Sequence, residues 1–355
     1  MIQFYMDKLS TILPILQKLV SGNSLDRSET KNLFETIFLH DKEGYYFTAA
    51  MSALHAKGES PGELSGIVDV FKKLSPRTEI NAEVTDTSGT GGGTFKSINV
   101  STAVAFIVAS ASIRVAKASY YGVTSKCGSA DLLKRYKIDI SRISSIHKLL
   151  EVLKETGVVF YYTPYISPKL ENRGKLFKKV FIENNLKVKS PFHLTTNAFS
   201  PLLVKKRVYG VYNRRFIKPL AKMFALLNYD ETFVFSTELG LPEVSLSGKT
   251  YVIHQKGESI KEFSWTPKDF GLKEVPPEYI KFMDIKHSTQ IFKSILQGHD
   301  ESPYAQLVWM NAAVVLYLFN RVKSLKEGVK LARNLCKNKK PWNILKRLQR
   351  IYQNV

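Results

Sequence analysis

The sequence predicts an α/β protein, with a small helical domain ahead of a larger domain built on a mainly parallel sheet. Three observations predict it. Residues 1–76 place apolar side chains at helical spacing with no run of strand formers. Beyond Pro76, short β-rich runs alternate with apolar helices, the pattern of parallel strands joined by crossovers. A polar, Lys-rich, helical stretch from about Ser167 to Phe192 then interrupts the alternation. The helical domain is therefore expected over 1–76 plus about 167–192, and the α/β domain over 77–166 plus about 193–355.

In chain order, Leu9, Leu13, Leu16 and Val20 share one helical face, and Leu33, Ile37 and Leu39 continue in a second helix. Ser24 and Asp26 are both cap candidates for a helix starting near Arg27, with Glu29 and Glu35 among its early acids. The run AAMSALHAKGES reads as a helix ended by Gly58, and Pro61 with Gly62 opens another that carries Ile67, Val70 and Phe71. AEVTDTSG, IRVAK, VYGVYN, ETFVFST and TYVIHQ read as strands, VSTAVAFIVASAS and SADLLKRY as helices. The last helices, from Ala305 through Tyr317 and from Lys326 onward, are expected to cover the sheet or lie at its periphery rather than form a separate domain.

The 355 residues are 44% hydrophobic, enough for a sizeable core and two domains. Two cysteines exclude a disulfide framework and a zinc ribbon and suit a reducing cytoplasm, the expected location. The first residues lack a basic start and carry Asp7, Lys8, Pro14 and Lys18, so neither a signal peptide nor a membrane span is expected. The histidines show no ligand spacing, and no nucleophile elbow supports a Ser-His-Asp hydrolase.

Charge is the anomaly. Lys and Arg total 52 against 31 acids, a formal +21, which attracts polyanions. Phosphate-rich substrates, nucleic acid and a merely solvated basic surface all stay open on charge alone. Basic residues concentrate at Lys169–Lys189, Lys205–Lys222 and Arg321–Arg350, the last with eleven Lys or Arg and one acid, Glu327. Trp342, Leu345, Leu348 and Tyr352 fall near one helical stripe and Lys346, Arg347 and Arg350 mostly off it. That is a docked terminal helix with a solvated basic face or, alternatively, a surface for a phosphate backbone.

The most informative segment is TDTSGTGGGTFKSINVST, residues 85–102, between a predicted strand and a helix starting near Ser101. Gly89, Gly91, Gly92 and Gly93 allow positive φ and bare backbone, so that successive N–H groups converge on phosphate oxygens. Thr90, Ser97, Asn99, Ser101 and Thr102 add polar groups, and the helix dipole favours an anion at the same place. An ordinary glycine-rich turn is the alternative. The spacing fits neither the GxxxxGK[ST] phosphate loop nor GxGxxG.

This loop, followed by VAKASYYGVTSKCGSADLL at 115–133, resembles the anthranilate phosphoribosyltransferases of tryptophan biosynthesis. The resemblance continues through KGES at 57–60, LGLPEVSLSGKT at 239–250 and NAAVVLYLFNRV at 311–322, and reaches the wider group that includes the pyrimidine nucleoside phosphorylases. It implies an active site in the cleft between the two domains and a homodimer formed through the helical part. It also implies that Gly89, Thr90, Gly91, Gly92, Ser97, Asn99, Ser101 and Thr102 cradle the diphosphate of phosphoribosyl pyrophosphate. Lys117 would pair with its phosphates and Ser129 would lie beside it; Asp131 would begin the next helix, as a site neighbour or only as its cap. The reaction displaces pyrophosphate from the ribose C1 through an oxocarbenium-like transition state and needs no nucleophilic side chain.

Departures from the family pattern fall at catalytically important positions. The family's GTGGD loop carries an acid where this chain has Gly93, and its magnesium-holding Asp-Glu pair is here Pro242 and Glu243. Mg2+ on Glu243 alone, at a weakened site, and a metal-independent site are both open. The family's KHGNR is Lys117, Ala118, Ser119, Tyr120 and Tyr121, so Ala118, Tyr120 and Tyr121 are the acceptor-side candidates. Where the family places an Arg for the acceptor's carboxylate, VFIENNLKVKSPFH offers Glu183 and Asn184, with Lys187 and Lys189 supplying charge but no fork. The family's FNxLGPLxNP is FHLTTNAFSPL at 192–202. Cys127 is a modestly reactive thiol or a small buried substitute for serine. Two expectations result. One is a phosphoribosyltransferase for an unidentified aromatic or amine acceptor, with weak or absent anthranilate activity; the alternative is a catalytically silent relative that binds nucleic acid or another polyanion.

Overall fold

The computed structural model describes residues 8–122, 128–170, 174–176, 179 and 191–354. The amino-terminal part of the described residues includes helices α1 (Leu13–Val20), α2 (Arg27–His40), α3 (Tyr45–Lys57) and α4 (Pro61–Leu74). Two capping boxes set their starts. Asp26, not Ser24, caps α2: its carboxylate accepts the Glu29 N–H at 2.7 Å, and Glu29 accepts the Asp26 N–H at 2.8 Å. Ser60 and Glu63 do the same for α4, and the fully buried Glu63 also accepts from the Leu25 N–H at 2.9 Å and from Lys57 Nζ at 3.0 Å. One carboxylate therefore ties the start of α4 to the end of α3 and the approach to α2. Gly58, at φ +90°, ends α3.

The apolar faces of these helices close on Leu33, Phe34, Ile37, Phe38, Phe47, Met51, Leu54 and Phe71. Leu170, Leu176, Phe192 and Phe199, far along the chain, complete the same core. The Phe192 ring lies 5.2–6.4 Å from those of Phe34, Phe38, Phe47 and Phe71. The chain thus leaves this bundle and returns to it.

The second core surrounds β1 (Val84–Thr85), α5 (Val100–Ser110), β2 (Arg114–Ala118), α6 (Ser129–Arg135), α7 (Ile146–Thr156), β3 (Val158–Tyr161), α8 (Thr163–Ile166) and α9 (Pro191–Thr195). It continues through β4 (Lys206–Gly210), α10 (Ile217–Leu226), β5 (Glu231–Thr237), β6 (Thr250–Lys256), β7 (Ser259–Trp265), α11 (Ile285–Leu296), α12 (Pro303–Leu318), α13 (Leu325–Lys337) and α14 (Lys340–Asn354). Strands β1, β2 and β3 pair in parallel; β4 pairs in parallel with β5, and β5, β6 and β7 run antiparallel. Thr85 Oγ1 donates to the Lys206 carbonyl at 3.0 Å, joining the edge strands β1 and β4. Helix α5 is apolar all round and buried along most of its length, as a helix inside a core must be.

Several elements differ from the sequence expectations. AEVTDTSG yields a strand of only two residues, because Asp86 turns its carboxylate onto backbone N–H groups and the chain leaves the sheet. VYGVYN stays in strand through Gly210, with the Val211 N–H still donating to the Phe235 carbonyl at 2.8 Å, and then departs. Two strands have no counterpart among those expectations: the short buried run VVFY of β3, and SIKEFSW of β7, an edge strand exposed along most of its length. A tight turn with Gly257 at φ +55° brings β7 back onto β6.

The terminal helices belong to this domain. Helix α12 is buried along nearly its whole length. Helix α14 docks through Leu345, Leu348 and Tyr352; the Tyr352 hydroxyl donates to the Phe160 carbonyl at 3.1 Å, while Lys346, Arg347 and Arg350 are exposed. Among the described residues no helix is long and apolar enough to cross a membrane.

Candidate active site

The glycine loop is anchored before it begins. Asp86 is fully buried and accepts the Ser88 N–H at 2.7 Å and the Ala118 N–H at 3.3 Å, pinning the loop to β2. Arg207 of β4, also fully buried, lies 3.9 Å from that carboxylate and donates to the Ser88 carbonyl at 3.1 Å, with its guanidinium 4.8 Å from the Tyr209 ring centre. A buried ion pair therefore fixes the base of the loop.

From there the loop runs against the end of β4. The Thr90 N–H donates to the Gly210 carbonyl at 2.8 Å, and Thr90 Oγ1 accepts the Tyr212 N–H at 3.1 Å. A Cβ at Gly89 would stand 2.5 Å from the Gly210 carbonyl oxygen. Gly91 and Gly92 adopt φ of +61° and +70°. Gly89 and Gly93 do not: the expectation of positive φ at all four holds for two, and the other two are glycine because of close packing. A Cβ at Gly93 would collide with the Gly240 carbonyl oxygen and approach Pro242 Cδ to 2.9 Å. The two missing acids are thus one packing event, since Pro242 and the turn at Gly240 occupy the space a side chain at 93 needs.

The start of α5 faces the cavity formed by this loop. Asn99 is its N-cap residue and makes no side-chain cap bond. Ser97 Oγ and Thr102 Oγ1 are buried without a hydrogen-bond partner among the described residues, while the Ser101 carbonyl accepts from Thr87 Oγ1 at 3.0 Å. Lys117, at 3% exposure near the end of β2, donates to Ser88 Oγ at 2.9 Å and to the Ala118 carbonyl at 3.3 Å. Burial pushes its ammonium down to about 8, with Asp86 pulling the other way. Across the cavity, burial pushes the Glu243 carboxyl up to about 7 against the pull of Lys96 and Lys117, and its Oε2 is buried without a partner among the described residues.

The opposite wall is aromatic. The Tyr162 ring meets those of Tyr120, Tyr121 and Tyr165 edge-on, at 5.4, 6.2 and 4.8 Å between centres. Ser129 Oγ accepts the Tyr120 N–H at 3.1 Å, and the Tyr120 hydroxyl lies 3.2 Å from Thr163 Oγ1. Burial, then Tyr165 and Asp139, push the Tyr121 phenol up to about 12. Asp131 acts as a cap: its carboxylate accepts the Gly122 N–H at 2.7 Å and the Gly128 N–H at 2.8 Å.

One cavity of about 470 Å³ is lined by Gly89, Thr90, Gly91, Gly92, Ser97, Asn99, Ser101, Thr102, Lys117, Ala118, Tyr120, Tyr121, Ser129 and Glu243, but not by Asp131. Cys127, Glu183, Asn184, Lys187 and Lys189 lie outside the described residues. Sequence reasoning missed Lys96, Tyr162, His193 and Asn197 on the cavity wall, and Asp86 with Arg207 behind it. Lys96 and Asn197 stood inside runs already singled out, and Asn197 Nδ2 donates to the Gly89 carbonyl at 2.6 Å. Arg207 gave no signal, because a charged residue in a strand run ordinarily faces solvent.

Magnesium prefers an octahedron of oxygens and draws one or two carboxylates from a protein. Glu243 is the one carboxylate among the described residues on the cavity wall, beside Pro242 and facing the charges of Lys96 and Lys117. No group of three or more His, Cys, Asp or Glu side chains among the described residues is placed to hold a metal ion. The described residues thus offer a single carboxylate, the least that such a site takes, and two ammonium groups face it.

Residues 81–340 match the α/β domain of a glycosyl transferase family, and residues 13–75 match that family's helical bundle domain. The anthranilate phosphoribosyltransferase of Shewanella sp. (strain ANA-3) is 30% identical over 347 residues, spanning 96% of this chain and 97% of that protein. The protein of the same name from Persephonella marina is 29% identical over 338 residues, 94% and 97% of the two chains. In structure the chain is similar to anthranilate phosphoribosyltransferase from Saccharomyces cerevisiae in complex with PRPP and Mg, with a TM-score of 0.86, 23% identity, and 98% and 99% of the chains covered. The enzyme of that name from Thermus thermophilus gives 0.82 at 23% identity, covering 95% and 99%. These likenesses carry the fold, a small helical bundle beside a larger α/β domain, and with the sequence matches they establish that the chain belongs to the anthranilate phosphoribosyltransferase family.

Proposed function

We propose that the chain is a phosphoribosyltransferase that binds phosphoribosyl pyrophosphate at the Gly89–Thr102 loop and transfers the phosphoribosyl group to an aromatic or amine acceptor other than anthranilate. One observation carries this reading: an anion cradle and an aromatic wall face each other across a single cavity. The cradle combines bare backbone at Gly91 and Gly92, the amino terminus of α5, two unpartnered hydroxyls and the Lys117 ammonium.

In the transfer, an acceptor nitrogen forms its bond to the ribose C1 as the bond from C1 to the diphosphate oxygen breaks. The electron pair leaves with pyrophosphate, and the proton of the acceptor nitrogen passes to solvent. Lys117 and the loop N–H groups stabilise the charge that grows on the leaving oxygens, and a buried setting strengthens them relative to water. Tyr120, Tyr121 and Tyr162 would receive the acceptor's ring, with Ala118 and Ser129 shaping the junction. Tyrosine at 120 and 121 supplies neither the family's Asn nor its Arg, which supports a changed acceptor. The helical domain is taken as 1–76 plus about 167–192, supported by the entry of Leu170, Leu176 and Phe192 into its core.

Calorimetric titration of the full chain with phosphoribosyl pyrophosphate, with duplex DNA as a comparison ligand at moderate salt, tests the reading. Saturable one-site binding of phosphoribosyl pyrophosphate is expected, together with anthranilate turnover well below ~1 per second. Turnover at or above that rate overturns the acceptor assignment. Absence of phosphoribosyl pyrophosphate binding, with salt-sensitive DNA affinity in its place, overturns the whole reading.

A further inference from the structure

The two places where an acid is missing, Gly93 and Pro242, pack against each other and leave no room for a side chain at 93. Charge of the opposite kind enters the same corner. Lys96 lies on the glycine loop itself, four residues beyond Gly92, and lines the cavity together with Glu243 and Lys117. Its backbone is held in place, because the Lys96 carbonyl accepts the Phe282 N–H at 2.7 Å. Its ammonium makes no hydrogen bond or ion pair among the described residues, although burial already costs it charge and its attraction to Glu243 is the opposing influence. A half-buried ammonium without a partner, on a loop whose backbone is shaped for an anion, is a site waiting for negative charge.

We infer that Lys96, acting with Lys117, supplies the positive charge that a divalent cation would otherwise bring, so that the diphosphate end of the substrate binds without a resident metal. This rests on the reading of the cavity as a phosphoribosyl pyrophosphate site. The electrostatics are self-consistent. A divalent cation at Glu243 would sit against two ammonium groups, whereas a diphosphate between Lys96 and Lys117 would meet opposite charge on both sides. Lysine also suits the task geometrically: a point charge on a flexible stem reaches a phosphate oxygen without demanding a planar fork. Glu243 then attracts both lysines at longer range before substrate arrives, with no hydrogen bond or ion pair to either among the described residues.

The test titrates the full chain with phosphoribosyl pyrophosphate, and separately with inorganic pyrophosphate, once in excess EDTA and once in millimolar Mg2+. Wild type is expected to bind saturably in EDTA, with an affinity within about threefold of that in Mg2+. Lys96→Met is expected to lose tenfold or more in EDTA, which is about 1.4 kcal/mol, while Lys96→Arg retains most of the affinity and thermal melting shows all three proteins folded. Binding that requires Mg2+ in wild type, or a Lys96→Met variant that binds as wild type does in EDTA, overturns the inference and leaves the proposed function standing. Absence of phosphoribosyl pyrophosphate binding in both conditions overturns the proposed function instead.

Discussion

One wall of the cavity is made mostly of backbone and the other mostly of rings. On the loop side the chain presents N–H groups, a helix terminus and positive-φ glycines, with buried Asp86 and Arg207 bracing them from behind. On the ring side Tyr120, Tyr121 and Tyr162 form an edge-to-face cluster, with the Tyr120 hydroxyl 3.2 Å from Thr163 Oγ1. A backbone site constrains sequence through glycine, so it changes little without failing. A side-chain site is rebuilt by substitution, so on the proposed reading the acceptor residues change while the loop keeps its shape. What persists reports the common substrate, and what changes reports the particular one.

The sharpest way to break the loop side is at its brace. Asp86→Ala leaves the fully buried Arg207 without its carboxylate, and unpaired buried charge costs about 3–5 kcal/mol. Urea unfolding should show a loss of that order, with Asp86→Asn losing less because it still accepts the Ser88 N–H. A loss below about 1 kcal/mol would mean that the pair does not hold the loop.

Lys117→Met comes next and separates binding from stability. With the native ammonium pushed down to about 8 against an ordinary value of 10.5, the folded state binds fewer protons than the unfolded one between those values. This group's contribution to stability therefore rises with pH across that window, and at pH 7 its charge is carried at a cost. Methionine removes the cost, so the variant is expected to be as stable as wild type or more so, by roughly 1–3 kcal/mol. Its affinity for phosphoribosyl pyrophosphate should fall about a hundredfold, on the scale of a lost charge-assisted contact. In wild type the affinity should decline as pH rises through 8, with proton uptake on binding above that pH. Asp86, Arg207 and Glu243 face the same group, and Glu243 takes up a proton in the same sense. The uptake that disappears in Lys117→Met is the lysine's share; calorimetry in buffers of different ionisation enthalpy measures it.

How much of this is legible in the sequence follows from the same division. Glycine spacing, the capping acids Asp26 and Asp131 and the apolar helix α5 can be read because each expresses a local rule about backbone or periodicity, whereas Lys117, Ala118, Tyr120, Tyr121, Ser129 and Glu243 are legible only through the resemblance to the family. Strands β3 and β7 cannot be read. VVFY is too short to show a period, and SIKEFSW is an edge strand whose exposed charges look like a loop. Lys96 stands in plain view within the loop but carries no pattern, since its meaning depends on Glu243, 147 positions away, coming to the same wall. Gly93 reads as one more glycine free to take positive φ, whereas the structure makes it glycine because Gly240 and Pro242 fill the space. Long-range proximity, not propensity, decides each of these.

Tyr162→Ala gives the smallest effect on substrate binding and completes the comparison. The ring contacts three others at 4.8–6.2 Å, and each aromatic pair contributes about 0.5–1.5 kcal/mol beyond its buried area. The variant should therefore lose about 1.5–4.5 kcal/mol of stability while keeping its affinity for phosphoribosyl pyrophosphate within about threefold. Lys117→Met is expected to do the reverse, so urea unfolding and one titration give opposite orders for the two variants. If Tyr162→Ala weakens phosphoribosyl pyrophosphate as much as Lys117→Met does, the ring wall takes part in holding that substrate and the division of the cavity fails. If the opposite orders appear, the ring wall is available to a second ligand, because ring packing and the tyrosines' own hydrogen bonds would hold the cluster together without reference to the anion beside it.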